Sequence, residues 1–595
     1  MKSLKKFLVW VLSIVGALTL VGVIIVVIGV VIGVVITSAG KSVPDQVILE
    51  VDFEMPLVEY VPLDPLAQAL MRKQTTVRDV VEALERASKD ERVVGLVARV
   101  GAAPMGLAVI QEIRDAVGKF GQNGKFTVAY AETFGEVGPG NGAYYLATAF
   151  DEIYLQPSGD LGLTGLMYQS PFLRGTLDKL HITPRMDHRE EFKNAKNVLT
   201  ETEFTEPHKE AMQKLMSSHF GQIMRGIVEA RGISEEQLLK IIDSAPLLGA
   251  EAIEAKLVDQ LLYRDEVYEM VKEKAEGAKL LYLQKYLERA GRPHKKGPTI
   301  ALIYGVGGVH RGKSEYSAFS GSPSMGSDTI AAAFRDAVAD KKVKAIVFRV
   351  NSPGGSYVAS DTIWREVVNA RDANKPVIVS MGNVAGSGGY FVSMSANKIV
   401  AQPGTITGSI GVVVGKLLTR DFWKEHIGIT FDDVQTSKNS SLWASTDDYS
   451  PEQWQKVQQF LDRVYDDFTT KVAGGRQMEK EKVLSIAKGR IWTGEDAKEH
   501  GLVDELGGFD VALRLAREEA GIEPDAAISL KVFPRPKRML EQLLQRGPDS
   551  SEHRAEVVIA EQLLKEIRPL YKMAKQIGLI EDNDILRMPQ FETSW

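Results

Sequence analysis

The chain has 595 residues, 44% of them hydrophobic, which is typical of several globular domains with large cores. Its net charge is −6 and no basic block occurs, so a nucleic-acid-binding protein is excluded. Because cysteine is absent, disulfide bonds, thiol catalysis and cysteine metal sites are excluded as well.

The first 40 residues predict a membrane anchor. Residues 1–6 carry three lysines, and residues 7–40 form an uncharged apolar run, longer than the roughly 20 residues that cross a bilayer. The alternative, a cleaved signal peptide, has an apolar region of only about 7–15 residues. The positive charge before the run predicts a cytoplasmic N-terminus and a body on the opposite side. We therefore predict one transmembrane helix over residues 7–40.

Beyond this segment, apolar runs alternate with amphipathic stretches. The predicted strands of the first region are residues 46–53, 93–100, 126–131 and 152–155, and its predicted helices are residues 76–89, 107–120 and 141–149. The same order recurs, with strands at 300–303, 345–350, 377–381 and 398–401 and helices at 327–339, 360–373 and 387–396. Such alternation is typical of parallel βαβ units in an α/β fold.

The two regions are also similar in sequence, which indicates an internal repeat. Residues 92–100 match residues 342–350, and Leu257-Val-Asp259 matches Leu502-Val-Asp504. The predicted organisation comprises a first repeat at residues 41–290, a second repeat at 297–525, and a C-terminal helical tail at 526–595. Long helical segments are predicted within both repeats, at residues 206–230, 234–243, 451–473 and 479–488. In the tail, we expect a helix over residues 555–580 that packs on the body.

Ser387 is the candidate nucleophile. It lies in Ala385-Gly-Ser-Gly-Gly-Tyr390, between a predicted buried strand and a predicted helix. A serine there sits at a helix N-terminus, where free N–H groups and the helix dipole favour an oxyanion. The flanking glycines let a substrate backbone approach. The alternative is that Ser387 only caps the helix.

A second glycine cluster, Asn351-Ser-Pro-Gly-Gly355, follows the neighbouring predicted strand. Open α/β folds bind ligands at this edge of the sheet, and the N–H of Gly354 is the natural second oxyanion donor. The first copy has lost part of this glycine set, and Asn141 stands where the second copy has Ser387. No Ser-His-Asp order is apparent, and a buried lysine with a lowered pKa can replace histidine as the base.

These motifs, with Thr407-Gly-Ser-Ile-Gly411 and Trp492-Thr-Gly-Glu-Asp-Ala497, resemble those of the signal peptide peptidase A family. The resemblance is to the long, tandem-repeat form of that family, also called protease IV. It implies an α/β protein with two tandem domains of the Clp-type/crotonase fold and helical extensions. It further implies a serine endopeptidase without metal or cofactor, in which Ser387 is the nucleophile and Gly354 and Gly388 hold the oxyanion.

The resemblance also implies a base. The long form takes its lysine from the first copy, in a pattern that falls on Phe192-Lys-Asn-Ala195, hence Lys193. Ser409, in the motif that begins at Thr407, would orient this lysine. Lys438, at the corresponding place in the second copy, is the alternative, because single-copy members carry serine and lysine in one repeat.

The expected substrates are remnant signal peptides and other short apolar peptides. The resemblance implies a homotetramer, held in the bacterial inner membrane by one N-terminal helix, with its body on the periplasmic side. Two other classes stay open. One is a non-proteolytic membrane scaffold or binding protein on the same fold. The other is a crotonase-type acyl-CoA enzyme. The sequence near Gly354 and Ser387 lacks the carboxylate base of such enzymes, which argues against this class.

Overall fold

The computed structural model describes residues 42–62, 71, 74–101, 105–317, 322–535, 586–587 and 592–593. The anchor predicted at residues 7–40 and the helix predicted at residues 555–580 lie outside these ranges. Within the described ranges, no helix combines the length and the apolarity that crossing a membrane requires.

The first copy is built on a parallel sheet. Its strands are β1 (Val47–Asp52), β2 (Val93–Arg99), β3 (Phe126–Ala131), β4 (Glu152–Leu155), β5 (Asp160–Leu161), β6 (Tyr168–Gln169), β7 (Thr183–His188), β8 (Leu247–Leu248), β9 (Gln260–Leu261) and β10 (Lys279–Tyr282). Six of them form the sheet, in the order β10-β1-β2-β3-β4-β9, and every neighbouring pair is parallel. The α/β class with parallel strands is therefore confirmed for this copy.

The second copy repeats this plan with a larger sheet. Its strands are β11 (Thr299–Val306), β12 (Val309–His310), β13 (Tyr316–Ser317), β14 (Ser322–Pro323), β15 (Met325–Gly326), β16 (Val343–Ser352), β17 (Gly354–Gly355), β18 (Val377–Gly386), β19 (Lys398–Ala401), β20 (Ile406–Gly408), β21 (Val413–Leu418), β22 (Ile491–Thr493), β23 (Glu505–Leu506) and β24 (Ser529–Phe533). The main path is β22-β20-β18-β16-β11-β24, antiparallel only between β20 and β22. Two short strands follow near the C-terminus, β25 (Leu586–Arg587) and β26 (Glu592–Thr593).

Helices cover the sheets. Those of the first copy are α1 (Val77–Ser88), α2 (Leu107–Gly121), α3 (Asn141–Ala147), α4 (Arg174–Lys179), α5 (Asn197–Thr200), α6 (Glu206–Arg231), α7 (Glu235–Ser244), α8 (Gly249–Glu254), α9 (Arg264–Lys274) and α10 (Leu283–Ala290), with a 3₁₀ turn at Asn194–Lys196. Those of the second are α11 (Ser327–Ala339), α12 (Tyr357–Asp372), α13 (Gly388–Phe391), α14 (Arg420–Phe422), α15 (Pro451–Arg476), α16 (Lys480–Ile486), α17 (Gly494–Glu499) and α18 (Phe509–Glu519), with a π-helical turn at Trp423–Ile427.

Apolar cores lie on both faces of each sheet. In the first copy, Leu96 packs into one core with α1 and α2, whereas its neighbour Val97 packs into another with Val267 and Val271 of α9. Successive residues of a strand point to opposite faces, so a strand buried on both sides must be apolar throughout. This explains why the central strands read as continuous apolar runs in the sequence.

Most predicted elements are confirmed, and two near Ser387 differ in length. The strand predicted at residues 377–381 continues to Gly386, because Val384, Ala385 and Gly386 pair with β20. The helix predicted at residues 387–396 ends at Phe391. Beyond it, Arg371 donates a hydrogen bond to the carbonyl oxygen of Ser395, and the following residues form turns instead of helix.

An antiparallel ribbon joins the two copies. Strand β7 of the first copy pairs with β21 of the second over six residue pairs, from His188 with Val413 to Thr183 with Leu418.

A buried ion cluster lies between the copies as well. The guanidinium of Arg349 in β16 contacts the carboxylates of Glu112 in α2 at 2.7 Å and Glu59 at 2.9 Å. These contacts fix the first copy relative to the second.

Candidate active site

Ser387 joins β18 to α13 in a strained backbone conformation. Its φ is 54° and its ψ is −116°, a combination that residues other than glycine rarely adopt. The strain is held by neighbouring backbone: the N–H of Ser387 donates to the carbonyl oxygen of Gly408 at 2.8 Å, and its own carbonyl accepts from Phe391 at 2.8 Å. Ser387 is fully buried. The sharp turn presents its hydroxyl at the N-terminus of α13.

Lys193 follows the ribbon strand β7 and enters the second copy. The N–H of the preceding residue, Phe192, donates to the carbonyl oxygen of Lys488 at 3.1 Å. Two glycines of the second copy make room for the lysine. A Cβ on Gly489 would lie 2.6 Å from the Cβ of Lys193, and one on Gly411 would lie 3.1 Å from its Cδ. Lys193 is therefore enclosed, with none of its surface exposed.

Lys193 and the two predicted serines meet in one buried cluster. Nζ of Lys193 lies 2.9 Å from Oγ of Ser387, 3.0 Å from Oγ of Ser409 and 3.1 Å from the carbonyl oxygen of Ser409. Burial lowers the pKa of Lys193 well below its usual value, because desolvation penalises the charged ammonium. A lysine in this setting is suited to be a neutral amine.

The acidic residues that precede Lys193 in the sequence lie on the surface and not beside its amine. Glu190 and Glu191 are exposed, and the carboxylate of Glu191 forms an ion pair with Lys488 at 2.9 Å. Lys438, the alternative base, is also solvent-exposed, and its carbonyl accepts a hydrogen bond from Gln453 at 2.8 Å. The structure thus brings Lys193 to Ser387 and leaves Lys438 on the surface.

The two predicted oxyanion donors flank Ser387. Gly388 is the first residue of α13, so its N–H lacks an intrahelical acceptor. A Cβ there would lie 3.1 Å from Cα of Gly354 and 3.0 Å from N of Gly355, so the two glycine clusters touch. The N–H of Gly354 donates to Oγ of Ser352 at 3.2 Å. An oxyanion in this place would take over that long hydrogen bond.

Two residues of the site were not predicted from the sequence. Gly411 and Gly489 form the wall of the lysine channel, and Gly489 also has a positive φ of 76°. Gly411 belongs to a motif that the sequence analysis had singled out for its serine, Ser409. Gly489 lies between Lys488 and Arg490, outside the motifs singled out in the sequence. The only indication that another part of the chain packs against this position was the glycine itself.

Comparison with known proteins identifies the family. The sequence profile of peptidase family S49 matches residues 119–278 and 369–523, and Protease 4 of Salmonella typhi is 34% identical over 467 residues, covering 76% of this chain and 73% of that protein. The chain belongs to peptidase family S49. Serine protease SPPA, chloroplastic, of Arabidopsis thaliana is 32% identical over 468 residues, covering 77% of this chain and 68% of that protein. Putative signal peptide peptidase SppA of Enterococcus faecium is 34% identical over 192 residues, or 32% of this chain and 56% of that protein.

This S49 peptidase is a serine peptidase, and its motif-based resemblance to the tandem-repeat form is confirmed. Lys193 falls in the first segment that matches the family, and Ser387 falls in the second. Among the described residues, no group of three histidines, aspartates or glutamates is arranged to hold a metal ion. The site brings together the hydroxyls of Ser387 and Ser409, the buried amine of Lys193 and the backbone N–H groups of the glycine clusters.

Proposed function

We propose that this S49 peptidase is a membrane-anchored endopeptidase in which Ser387 and Lys193 form the catalytic dyad. The observation that carries the proposal is the distance of 2.9 Å between Nζ of Lys193 and Oγ of Ser387, in a site closed to solvent. A serine hydroxyl is a weak nucleophile unless a base accepts its proton, and a desolvated lysine can be that base.

The three short contacts of Lys193 match the bonding capacity of a neutral amine. Such an amine has two N–H donors and one lone pair. Once Lys193 is neutral, two N–H groups donate to the carbonyl oxygen and Oγ of Ser409, which leaves the lone pair free to accept the O–H of Ser387, the reverse of the direction that an ammonium would take. Ser409 thereby turns the lone pair toward the nucleophile.

The reaction follows from this arrangement. Oγ of Ser387 attacks the scissile carbonyl carbon while its proton passes to Nζ of Lys193. The N–H groups of Gly388 and Gly354 stabilise the oxyanion of the tetrahedral intermediate. When the C–N bond breaks, the ammonium of Lys193 returns the proton to the leaving amine and an acyl-serine remains. A water molecule, deprotonated by the same lysine, then hydrolyses the ester and restores Ser387.

The proposed substrates are cleaved signal peptides and other short apolar peptides at the membrane. The relative from Enterococcus faecium is named a signal peptide peptidase, and this name supports the proposed substrate class. The uncharged run at residues 7–40 supports a single-pass anchor in a bacterial inner membrane, with the site on the periplasmic side. A site held near the bilayer meets such peptides where they are released. The family resemblance supports a homotetramer.

Peptide hydrolysis by the purified full chain tests this function. Ser387→Ala should lower kcat on a fluorogenic apolar peptide by on the order of 10⁴-fold or more. The activity that remains is the catalysis due to substrate binding and the oxyanion hole alone. Ser437→Ala, which changes an exposed serine, is the matched control and should keep the wild-type rate. Full turnover by Ser387→Ala would disprove the proposed mechanism.

A further inference from the structure

A polar cleft that the proposed dyad does not use opens where α2, α3 and α6 of the first copy meet the loop before β20. Sites for small ligands have volumes of about 300–1,000 Å³, and this cleft falls within that range at about 480 Å³. Its floor is buried and its rim is exposed to solvent. The lining includes Gln111, Arg114, Tyr145, Gln222, Arg225 and Glu229.

Arg114 lies in this cleft without a carboxylate partner. Its Cζ lies 3.9 Å from the ring centroid of Tyr145, and Nη1 donates to the carbonyl oxygen of Tyr145 and, at 2.6 Å, to Oγ1 of Thr148. Within the described ranges, no ion pair reaches Arg114, and its Nε and Nη2 have no hydrogen-bond acceptor. Burial lowers the pKa of Arg114, because desolvation of the guanidinium outweighs the attraction of nearby acidic groups. The guanidinium is therefore held at one end and open at the other.

The open edge of Arg114 has the shape that a carboxylate requires. Nε and Nη2 of a guanidinium lie in one plane and can donate to both oxygens of a carboxylate. The stacking on Tyr145 fixes this plane before a ligand arrives, which lowers the ordering cost of binding. Gly226 in α6 leaves the necessary space, because a Cβ there would collide with the ring of Tyr145 and lie 3.2 Å from Nη2 of Arg114.

The rim of the cleft is acidic. Asp115 and Glu229 both line it and are exposed, and the carboxylate of Asp115 accepts a hydrogen bond from Gln402 at 2.9 Å. The side chain of Glu229 has no hydrogen-bond or ion-pair partner among the residues that the structure describes. The second guanidinium of the cleft, that of Arg225, is already paired with Glu495 at 2.6 Å. One cation and one anion of the cleft are thus left for a ligand.

We propose that this cleft binds a small zwitterion, an α-amino acid or a dipeptide, with its carboxylate on Arg114 and its ammonium at Glu229. A dianion such as phosphate would be repelled by Asp115 and Glu229, and a neutral molecule would leave both unpaired groups without a partner. Short peptides with free termini are what a serine peptidase releases, so the proposed ligand is formed where the enzyme acts. The proposal does not rest on the proposed dyad or on the anchor.

The floor of the cleft also holds the chain that leads to the nucleophile turn. Oε1 of Gln111 accepts the N–H of Gly404 at 2.7 Å. Strand β20 follows and ends at Gly408, whose carbonyl oxygen accepts the N–H of Ser387 at 2.8 Å. A ligand in the cleft should therefore slow hydrogen exchange in the loop at residues 402–405.

Isothermal titration of the purified full chain carrying Ser387→Ala tests the ligand, with L-leucine and Leu-Leu as probes. Leucine is chosen because Ala149, Ala230 and Pro403 add apolar surface to the cleft. At least one probe should bind, and stronger binding of Leu-Leu would identify peptides, not free amino acids, as the ligand. N-acetyl-leucine and leucinamide, which each lack one charge, should bind about 10- to 100-fold more weakly than leucine. Failure of both probes to bind, or equal binding of N-acetyl-leucinamide, would overturn the proposal.

Variants in the same background locate the site. Arg114→Gln should weaken the binding of leucine by about 10- to 100-fold. Glu229→Gln should weaken the binding of leucine but not that of N-acetyl-leucine, which has no ammonium; since Glu229 is exposed, this comparison stands even if Arg114→Gln fails to fold. Arg514→Gln, which changes an exposed arginine elsewhere, is the matched control and should leave binding unchanged. Unchanged leucine binding by both cleft variants would overturn the proposal.

Hydrogen exchange separates this site from the active site. Saturating leucine should slow exchange at residues 402–405. Slowing confined to the turn at Ser387 would mean that leucine binds at the peptidase site, and would overturn the proposal. These measurements do not depend on turnover, so an active Ser387→Ala protein would count against the proposed function alone.

Discussion

Nζ of Lys193 lies 2.9 Å from Oγ of Ser387, although the two residues are 194 positions apart and belong to different copies of the repeat. The ribbon of β7 and β21 produces this meeting. It ends at the pair of His188 with Val413, and the N–H of Arg189 still donates to the carbonyl oxygen of Val412 at 3.1 Å. The chain then turns inward and delivers Lys193. Each copy alone holds only part of the proposed dyad.

The identity of the base is tested by a pair of isosteric variants. Lys193→Met should lower kcat by about 10²–10⁴-fold, which is the usual contribution of a general base. Lys438→Met is the matched control, because Lys438 is exposed, and it should change kcat by less than about twofold. Steady-state hydrolysis of a fluorogenic peptide measures both. If Lys438→Met lost activity and Lys193→Met kept it, the general base would be Lys438 of the second copy.

Activity should depend on pH in one direction. Burial lowers the pKa of Lys193, and only the neutral amine can accept the proton of Ser387. As the pH falls through this lowered pKa, the amine becomes charged and kcat/KM should decline; as the pH rises through it, kcat/KM should reach a plateau. A pH–rate profile of the wild type measures this. A profile that rises only near the pKa of a free lysine would contradict a desolvated base.

Lys193 should also impose a pH-dependent cost on stability. Its pKa is lower in the folded protein than in the unfolded chain, so the unfolded chain binds more protons between those two pKa values. Stability of the wild type relative to Lys193→Met should therefore rise with pH, by about 1.4 kcal/mol per pH unit within that window. Chemical denaturation of both proteins at several pH values measures the slope. Lys438→Met, compared in the same way, should show no slope.

Ser409 is expected to act through the orientation of Lys193. Ser409→Ala removes the Oγ that lies 3.0 Å from Nζ but keeps the carbonyl oxygen at 3.1 Å, so one of two anchoring contacts survives. We expect kcat to fall by about 10- to 100-fold, a part of the contribution of the base itself, with KM nearly unchanged. Stopped or continuous peptide assays give both constants. A change confined to KM would mean that Ser409 contacts substrate instead.

The ion cluster between the copies should matter for stability. Glu112 is buried, accepts from Arg349 at 2.7 Å and also accepts the N–H of Phe509 at 2.7 Å. Glu112→Ala leaves these donors without that partner and should cost about 3–5 kcal/mol. Glu518→Ala, which breaks the exposed pair with Arg514, should cost less than about 1 kcal/mol. Thermal unfolding of both variants makes the comparison, and equal losses would contradict a structural role.

Local sequence patterns were sufficient to predict most of the fold. The helix at residues 327–339 and the strand at residues 126–131 are found with the predicted bounds, because their apolar spacing matches the periods of helix and strand. Ser387 could be predicted as nucleophile from the glycines around it, since a sharp turn before a helix requires them. The tail predicted as helical over residues 526–595 instead contains strands at residues 529–533, 586–587 and 592–593, and the first of them pairs with β11 in the sheet of the second copy.

The amino-acid sequence alone was sufficient to predict the two α/β copies, the family motifs and a short list of candidate site residues. It left Lys193 and Lys438 open as the proposed base, because both follow similar local patterns and the distance to Ser387 is not a local property. Only the tertiary structure separated them. The ribbon between the copies and the channel beside Gly411 and Gly489 bury one lysine at the nucleophile, while the other stays in solvent. Desolvation, which makes a lysine a base, exists only once the chain has folded.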